Sequence, residues 1–362
     1  MKIAFLGFKN SFSFDHIGGT DSIVRRMALR LAELGDESGL ISYGCSQNTC
    51  QRLTERIKII KFETLSDSLE SLKQQYEHVI TVYLKPADRL AYAMFRKSQQ
   101  HGMRFHRFYM DWNESPLKRR LLFAEARLFP FNGYLFCVSP RIYRGVSKWA
   151  PCSTLFLPPV SGTYFCNPED KPYNRKLRIT YAGRLDQGKG TGRAIEVFRR
   201  LRGRPDIQTR LYGFAWSHKP ETVQLHERLL SDPDIIYEPS DFRGWTPEVD
   251  ENLRQMLRQT DILLLPYRKL SSTVDTPLLL LEGMANLCAI ITPPLGDLQE
   301  TYGASDFNLK HEWDTDSVVN LIENARLHLT AERQRLLLRN TSLQFDAKSV
   351  TERFRSLLLG SS

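Results

Sequence analysis

The sequence predicts an α/β protein with two doubly wound, Rossmann-like domains that face a central cleft. Short apolar segments alternate with amphipathic segments twice along the chain, which indicates parallel strands joined by helical crossovers. Residues 151–177 interrupt the alternation and hold five prolines together with Gly162, Asn167 and Asn174, as linkers do. The length of 362 residues suits about two domains with sizeable cores. Ligands of open α/β sheets bind beyond the carboxyl ends of the strands, so we expect the site in the cleft.

The first domain is predicted to span residues 1–165. Its first helix is amphipathic, because Ile23, Met27 and Leu31 share one face. The full pattern indicates strands at residues 2–7, 40–43, 57–62, 79–84, 105–110 and 134–139, and helices at residues 22–34, 87–101 and 116–128.

The second domain is predicted to span residues 166–345. The last helix, residues 348–360, is amphipathic and is expected to pack back on the first domain. Strands are indicated at residues 177–182, 208–213, 235–237, 262–266 and 289–292, and helices at 192–202, 221–230, 252–259, 316–325 and 331–337, with another starting near Pro277.

The formal net charge of +9 is unevenly distributed. Residues 85–150 hold thirteen basic and four acidic side chains, whereas residues 171–362 hold 27 basic and 25 acidic ones. A nucleic acid, an anionic membrane surface, an anionic substrate or an ordinary solvated surface would each account for such a basic region.

The sequence indicates a cytoplasmic protein, with peripheral contact at the inner membrane surface as a further option. The apolar start of the chain is too short for a signal peptide, and no apolar run reaches the ~18 residues that span a bilayer. The six cysteines are scattered, so we expect free thiols. Cys45 and Cys50 have no nearby His, and no metal site is expected.

The first segment that indicates chemistry is YAGRLDQGKG, residues 181–190, which follows a strand and precedes a helix. Gly183 lets the backbone approach a ligand closely, and Arg184 and Lys189 suit a diphosphate. The segment differs from a Walker loop, because Gly190 stands where the magnesium-binding Ser or Thr belongs.

The second segment runs from Thr276 and Pro277 into an apolar helix. We expect Thr276 to be the N-cap and Pro277 the first helical residue, so that the backbone N–H groups near Leu278 favour an anion. Glu282 interrupts the apolar run, and a buried carboxylate there needs a partner, for which a ribose hydroxyl pair would serve.

The third segment, residues 15–20, links the first strand to the first helix. Gly18 and Gly19 would let the backbone wrap closely around a phosphate or a sugar, although a simple turn would look the same.

Taken in this order, the segments resemble the retaining GT-B glycosyltransferases of family 4, also called glycosyl transferases group 1. GRLDQGKG (183–190) and LLEGMA (280–285) are close to two signatures of that family, and the resemblance covers nearly the whole chain. VSPRIYRGV (138–146), LFLPPVSGTYF (155–165) and TDILLLP (260–266) add weaker matches.

The resemblance implies a hexosyltransferase-type enzyme whose nucleotide-sugar donor, most simply a UDP- or GDP-sugar, binds the second domain. It implies that Arg184 and Lys189 bind the donor diphosphate, that Glu282 binds the ribose, and that Gly19 and the backbone at residues 276–279 lie near the phosphates. It also implies retention, no metal and no cofactor. The partner would be a hydroxyl acceptor, anionic or lipid-linked, presented by the basic first domain.

Three positions depart from the family pattern. The first Glu of the E-x7-E motif would fall on Val274, and Asp275 is the candidate for its role. The family's His after the strand 105–110 is absent, which leaves Asp111 as the acceptor-side candidate and makes His106 more consistent with a structural role. The family's Gly after the LLExMA segment falls on Leu287.

Two other functions fit parts of the sequence. A nucleotide-sugar epimerase on the same fold would need acid and base groups near the sugar, and few candidates align. A non-enzymatic nucleic-acid-binding protein would use the mixed aromatic and basic residues of 85–150, although most of those aromatic residues suit a core.

Overall fold

A computed structural model describes residues 1–9, 11–12, 18–73, 75–110, 115–171, 175–214, 220–240, 246–270 and 273–360. The chain divides into two compact units, residues 1–159 with 346–362, and residues 160–345. Each unit contains its own sheet with helices, which confirms the predicted α/β class. None of the helices in these described ranges is long and apolar enough to cross a membrane.

The first unit contains an eight-stranded sheet in the order β3-β4-β2-β1-β5-β6-β7-β8. All neighbouring strands are parallel except β3 and β4. In chain order its elements are β1 (Lys2–Phe8), α1 (Gly19–Glu33), β2 (Glu37–Tyr43), β3 (Thr49–Thr54), β4 (Ile57–Phe62), α2 (Leu65–Lys73), β5 (His78–Thr81), α3 (Arg89–Gln99), β6 (Arg104–Tyr109), α4 (Pro116–Leu128), β7 (Leu135–Cys137), α5 (Pro140–Val146) and β8 (Ser153–Leu155).

The second unit contains a five-stranded parallel sheet in the order β11-β10-β9-β12-β13. The central strand β9 therefore lies between β10 and β12. Its elements are β9 (Leu177–Arg184), α6 (Thr191–Arg200), β10 (Ile207–Phe214), α7 (Pro220–Ser231), β11 (Tyr237–Ser240), α8 (Pro247–Gln259), β12 (Ile262–Leu264), α9 (Leu278–Ala285), β13 (Ala289–Ile291), α10 (Leu298–Tyr302), α11 (Thr315–Glu323) and α12 (Ala325–Leu343).

Several elements differ from the sequence prediction. The strand β3 was not expected because its side chains are mostly exposed and show no apolar alternation. Helix α8 starts earlier than the pattern indicated, since the Thr246 side chain caps it by accepting the Val249 N–H at 3.4 Å. Helices α2 and α5 and strand β8 were also missed, and α12 is a single helix of 19 residues rather than a short one.

The last helix, α13 (Ala347–Gly360), belongs to the first unit and contacts α1. Phe354 packs among aromatic rings of the sheet, with centroid distances of 4.9 Å to Phe136 and 5.8 Å to Phe156. Arg355 donates to the buried carboxylate of Asp36 at 2.6 Å. Burial of a large aromatic side chain contributes roughly 1.5–3 kcal/mol, so this helix is part of the first unit's core.

Two buried histidines connect β5 and β6. His106 is fully buried, its Nδ1 accepts the Tyr134 N–H at 2.9 Å, and its Nε2 lies 3.1 Å from Nδ1 of His78. Because Nδ1 of His106 is an acceptor, its proton is on Nε2, which donates to His78. Both rings are thus neutral, and His106 has the structural role that the sequence favoured.

Acid is expected to weaken the fold through this pair. Burial lowers the pKa of His106 to about 3 and also lowers that of His78. A folded-state pKa below the unfolded value of ~6.5 means that the unfolded chain binds more protons as the pH falls through 6.5. We expect the free energy of unfolding to fall by about 1 kcal/mol for His106 between pH 6.5 and 5.5. Urea unfolding of His106→Gln over the same interval should show a shallower pH dependence, and an unchanged dependence would contradict this account.

Candidate functional site

Two loops pack together beyond the carboxyl ends of β9 and β12. The Arg268 N–H donates to the Gly188 carbonyl at 3.1 Å, and the Arg193 guanidinium donates to the Tyr267 carbonyl at 3.2 Å. Gly190 has φ +79°, and a Cβ there would lie 1.9 Å from the carbonyl oxygen of Pro266. This position therefore requires glycine both for its backbone conformation and for the close approach of the second loop.

Two buried hydroxyl groups form hydrogen bonds with the loop that follows β9. The hydroxyls of Tyr181 and Thr191 lie 2.9 Å apart, and they approach the Arg184 carbonyl to 3.0 and 3.2 Å. Above them, the Asp186 carboxylate accepts the Lys189 N–H at 2.7 Å, which closes a turn. These bonds determine the path of the backbone from Arg184 to Lys189.

The loop holds two cations close together. Nε of Arg184 lies 3.5 Å from the Asp186 carboxylate, and Nζ of the partly buried Lys189 lies 4.7 Å from the centre of the Tyr267 ring. Burial lowers the pKa of Lys189, the charge of Arg184 lowers it as well, and Asp186 acts in the opposite direction, so that the resulting pKa is about 8. An anion that bridges the two cations would relieve this repulsion.

The buried residue Tyr267 joins this loop to helix α9. Burial raises the pKa of Tyr267, the charge of Arg184 lowers it, and the charges of Glu282 and Asp186 raise it. Tyr267 therefore lies among the cations of one loop and the carboxylate of the helix. Tyr267 was not among the predicted site residues, although an aromatic residue directly after Pro266 at the end of a strand was the available signal.

Helix α9 begins one residue later than predicted. Pro277 is the N-cap with extended ψ (142°), and Leu278 is the first helical residue. Thr276 therefore does not cap the helix: it is fully buried, and its hydroxyl finds no hydrogen-bond partner in the described structure. The N–H groups of the first turn remain at the helix start, as an anion site requires. Asp275 and Glu282 are both buried, with 2% and 4% exposure.

The turn after α9 keeps the geometry of a glycine turn although Leu287 occupies it. Leu287 has φ +55°, its N–H donates to the Met284 carbonyl at 2.9 Å, and the Cys288 N–H donates to the Gly283 carbonyl at 3.0 Å. These two bonds define a Schellman motif. The left-handed conformation costs a leucine roughly 1–2 kcal/mol. Complete burial of its side chain offsets that cost.

The glycine segment of the first unit is only partly described. Gly18 is the N-cap of α1 and Gly19 its first residue, and a Cβ at Gly19 would meet open space. Residues 15–17 of that segment, and Asp111, lie outside the described residues. Over the described ranges, no group of three or more His, Cys, Asp or Glu side chains is arranged to hold a metal ion.

Part of the second unit matches a known protein family. Residues 176–325 match the family model described as Glycosyl transferases group 1. No curated protein matches the sequence.

Solved structures match over the whole chain. Anabaena HepE in complex with UDP-glucose has a TM-score of 0.70 at 12% identity and covers 99% of this chain and 100% of its own. WaaG, a glycosyltransferase involved in lipopolysaccharide biosynthesis, has a TM-score of 0.62 at 13% identity, with 99% and 100% covered. An alpha-glucosyltransferase in complex with UDP has a TM-score of 0.60 at 13% identity, with 99% of both chains covered.

The chain thus has the fold of the GT-B glycosyltransferases. Within it, the region that matches the group 1 glycosyltransferase model, residues 176–325, contains the loop with Arg184 and Lys189 and the helix with Glu282.

Anion binding at the loop is expected to weaken above pH 8. A lysine with a pKa of about 8 loses most of its charge by pH 9, so the affinity for inorganic pyrophosphate should fall about tenfold between pH 7 and pH 9. Calorimetric titrations of the wild type and of Lys189→Arg, whose guanidinium stays charged, would separate this effect from ionisation of the ligand. An equal loss in both proteins would contradict the assignment.

The ring of Tyr267 is expected to keep Lys189 protonated. A cation–π contact of about 1 kcal/mol corresponds to about 0.7 pKa unit. In Tyr267→Leu the pH midpoint of pyrophosphate binding should therefore move down by about 0.7 unit. Tyr267→Phe keeps the ring and should retain the wild-type midpoint. If both variants shift equally, the hydroxyl group rather than the ring is responsible.

Proposed function

We propose that the protein is a metal-independent, retaining hexosyltransferase that moves a sugar from a UDP- or GDP-sugar to a hydroxyl acceptor. The observation that carries this proposal is the pair of cations Arg184 and Lys189, on a loop whose backbone is held by hydrogen bonds at the carboxyl edge of the sheet, within the region that matches the group 1 glycosyltransferase model. The relatives with bound UDP and UDP-glucose support a nucleotide-sugar donor.

In this function the two cations act on the leaving group. As the bond between the anomeric carbon and the diphosphate breaks, negative charge grows on the phosphate oxygens, and cations already in place stabilise it without reorganisation. The acceptor oxygen forms the new bond to the anomeric carbon, and its proton passes to the departing diphosphate. Two fixed positive charges supply the neutralisation that a magnesium ion supplies elsewhere.

The remaining residues bind the donor. Glu282 accepts hydrogen bonds from the ribose hydroxyls, and the N–H groups at the start of α9 bind the phosphates. Following the sequence resemblance, we assign Asp275 to the donor sugar, Asp111 to the acceptor side and Gly18–Gly19 to the donor phosphates. The same resemblance is the basis for proposing retention of the anomeric configuration. The acceptor is proposed to be anionic or lipid-linked because residues 85–150 are strongly basic.

Donor turnover tests the proposal. Thermal shift against UDP-, GDP- and ADP-sugars would select the donor, and its hydrolysis would then be measured. Arg184→Ala and Lys189→Ala should each lower turnover by about 10²–10³-fold, the typical loss of one charge-stabilising group. Arg199→Ala, an exposed arginine in the same unit, is the matched control and should keep wild-type turnover.

Three outcomes would contradict the proposal in different ways. Full turnover in Arg184→Ala and Lys189→Ala would remove the leaving-group role. An epimerised nucleotide sugar formed without acceptor would favour the epimerase. Activity lost in EDTA and restored by Mg²⁺ would contradict metal independence.

A further inference from the structure

Large apolar side chains are exposed together on helices α3 and α4 of the first unit. Fifteen large hydrophobic side chains are exposed in the described part of the chain, and eight of them lie between residues 83 and 143. Six of these lie on the two helices, and we call the five aliphatic ones the α3–α4 surface: Leu90 (61% exposed) and Met94 (60%) on α3, and Leu117 (67%), Leu121 (61%) and Leu128 (69%) on α4. Ion pairs of Glu125 with Arg89 and Arg96 link the two helices. Exposed apolar residues concentrated on two linked helices mark an interaction site more often than scattered ones do.

The leucines of α4 form one stripe along the helix. At 3.6 residues per turn, Leu117, Leu121 and Leu128 lie within about 40° of one another around the helix axis. Arg120 and Arg127 are exposed and lie about 80–100° to one side of this stripe. No residue in the described ranges forms an ion pair with either arginine. An exposed apolar stripe bordered by unpaired cations is the pattern of a helix that lies in a membrane interface.

Ion pairs hold one flank of α4, which lies about 60° around the helix axis from the leucine stripe, on the side away from Arg120 and Arg127. The Glu125 carboxylate lies 3.6 Å from the buried guanidinium of Arg96 and 3.9 Å from those of Arg89 and Arg107. These contacts tie α4 to α3 and to β6, so the leucine stripe cannot turn inward without breaking them. One carboxylate among three guanidinium groups also leaves a net positive charge beneath the surface.

We propose that the α3–α4 surface docks on an anionic lipid bilayer. Its leucines and methionine would lie at the boundary of the acyl chains, and the neighbouring Arg120 and Arg127 would lie at the headgroups. Each basic side chain near an anionic leaflet strengthens binding several-fold, and the apolar stripe adds hydrophobic insertion. A second copy of this chain is a poor occupant, because two positively charged surfaces repel each other.

A nucleic acid fits this surface less well. Stacking on bases requires exposed aromatic rings, whereas the projecting side chains are aliphatic. Phe123, the aromatic residue of α4, is only 43% exposed and packs edge-on against Trp149 at 6.1 Å.

Vesicle flotation tests the docking, with the full chain and neither donor nor acceptor present, so that its result is independent of the transferase assay. The vesicles are phosphatidylcholine alone or with about 30% phosphatidylglycerol, which gives them an anionic surface. We expect binding to the anionic vesicles that weakens in high salt. The double variant Leu117→Gln/Leu121→Gln should bind at least about tenfold more weakly, since it removes two insertion groups.

A matched double variant controls for loss of exposed leucines in general. Leu327 and Leu338 of α12 are 81% and 73% exposed in the second unit, and Leu327→Gln/Leu338→Gln should bind like the wild type. All four substitutions are at exposed positions, so donor-induced thermal shifts should stay unchanged and report folding. Absence of vesicle binding, equal binding to neutral vesicles, or equal loss in both double variants would overturn the proposal. A salt-sensitive mobility shift with duplex DNA in place of vesicle binding would assign the surface to nucleic acid instead.

Discussion

The close approach of the loops after β9 and β12 is the constraint on which the candidate site depends. Gly190 allows it, because any side chain there would collide with the Pro266 carbonyl. The approach places Tyr267 beside Lys189, and the buried hydroxyls of Tyr181 and Thr191 keep the backbone at Arg184 in place. Two cations are thereby held near each other in a partly dehydrated setting. The two cations repel each other in this arrangement, and a bound diphosphate would reduce that repulsion.

Buried polar groups have different roles in the two units. In the second unit, buried polar residues position the loop and helix that carry the candidate site. In the first unit, the neutral pair His78 and His106 joins neighbouring strands through a hydrogen bond between the two rings, and His106 also accepts the Tyr134 N–H. The first pattern suits a binding site and the second holds the sheet together, although both involve titratable groups. Burial by itself therefore does not distinguish a site from a core.

The excess of positive charge lies in the first unit, whereas the candidate donor site lies in the second. The second unit needs only two cations for a diphosphate and is otherwise close to neutral in sequence. The basic residues of 85–150 lie instead on and under helices that also expose leucines. A positive charge alone would suit many anionic partners. Exposed apolar side chains beside that charge favour a bilayer over a dissolved anion, because they can insert among the lipids.

The sequence alone determined the α/β class, most of the parallel strands, and the loop with Arg184 and Lys189, since these follow from local periodicity and from residues that are neighbours in the chain. It missed Tyr267 beside Lys189, because that contact arises from the adjacency of β9 and β12 in the sheet. It placed the helix cap on Thr276, whereas packing puts the start of α9 at Leu278. Tertiary structure also decided which face of α4 is buried, through the contacts of Glu125 with distant arginines. The periodicity of a sequence indicates which residues share one face of a helix or strand. Strand order and ion pairs between distant residues decide what that face packs against.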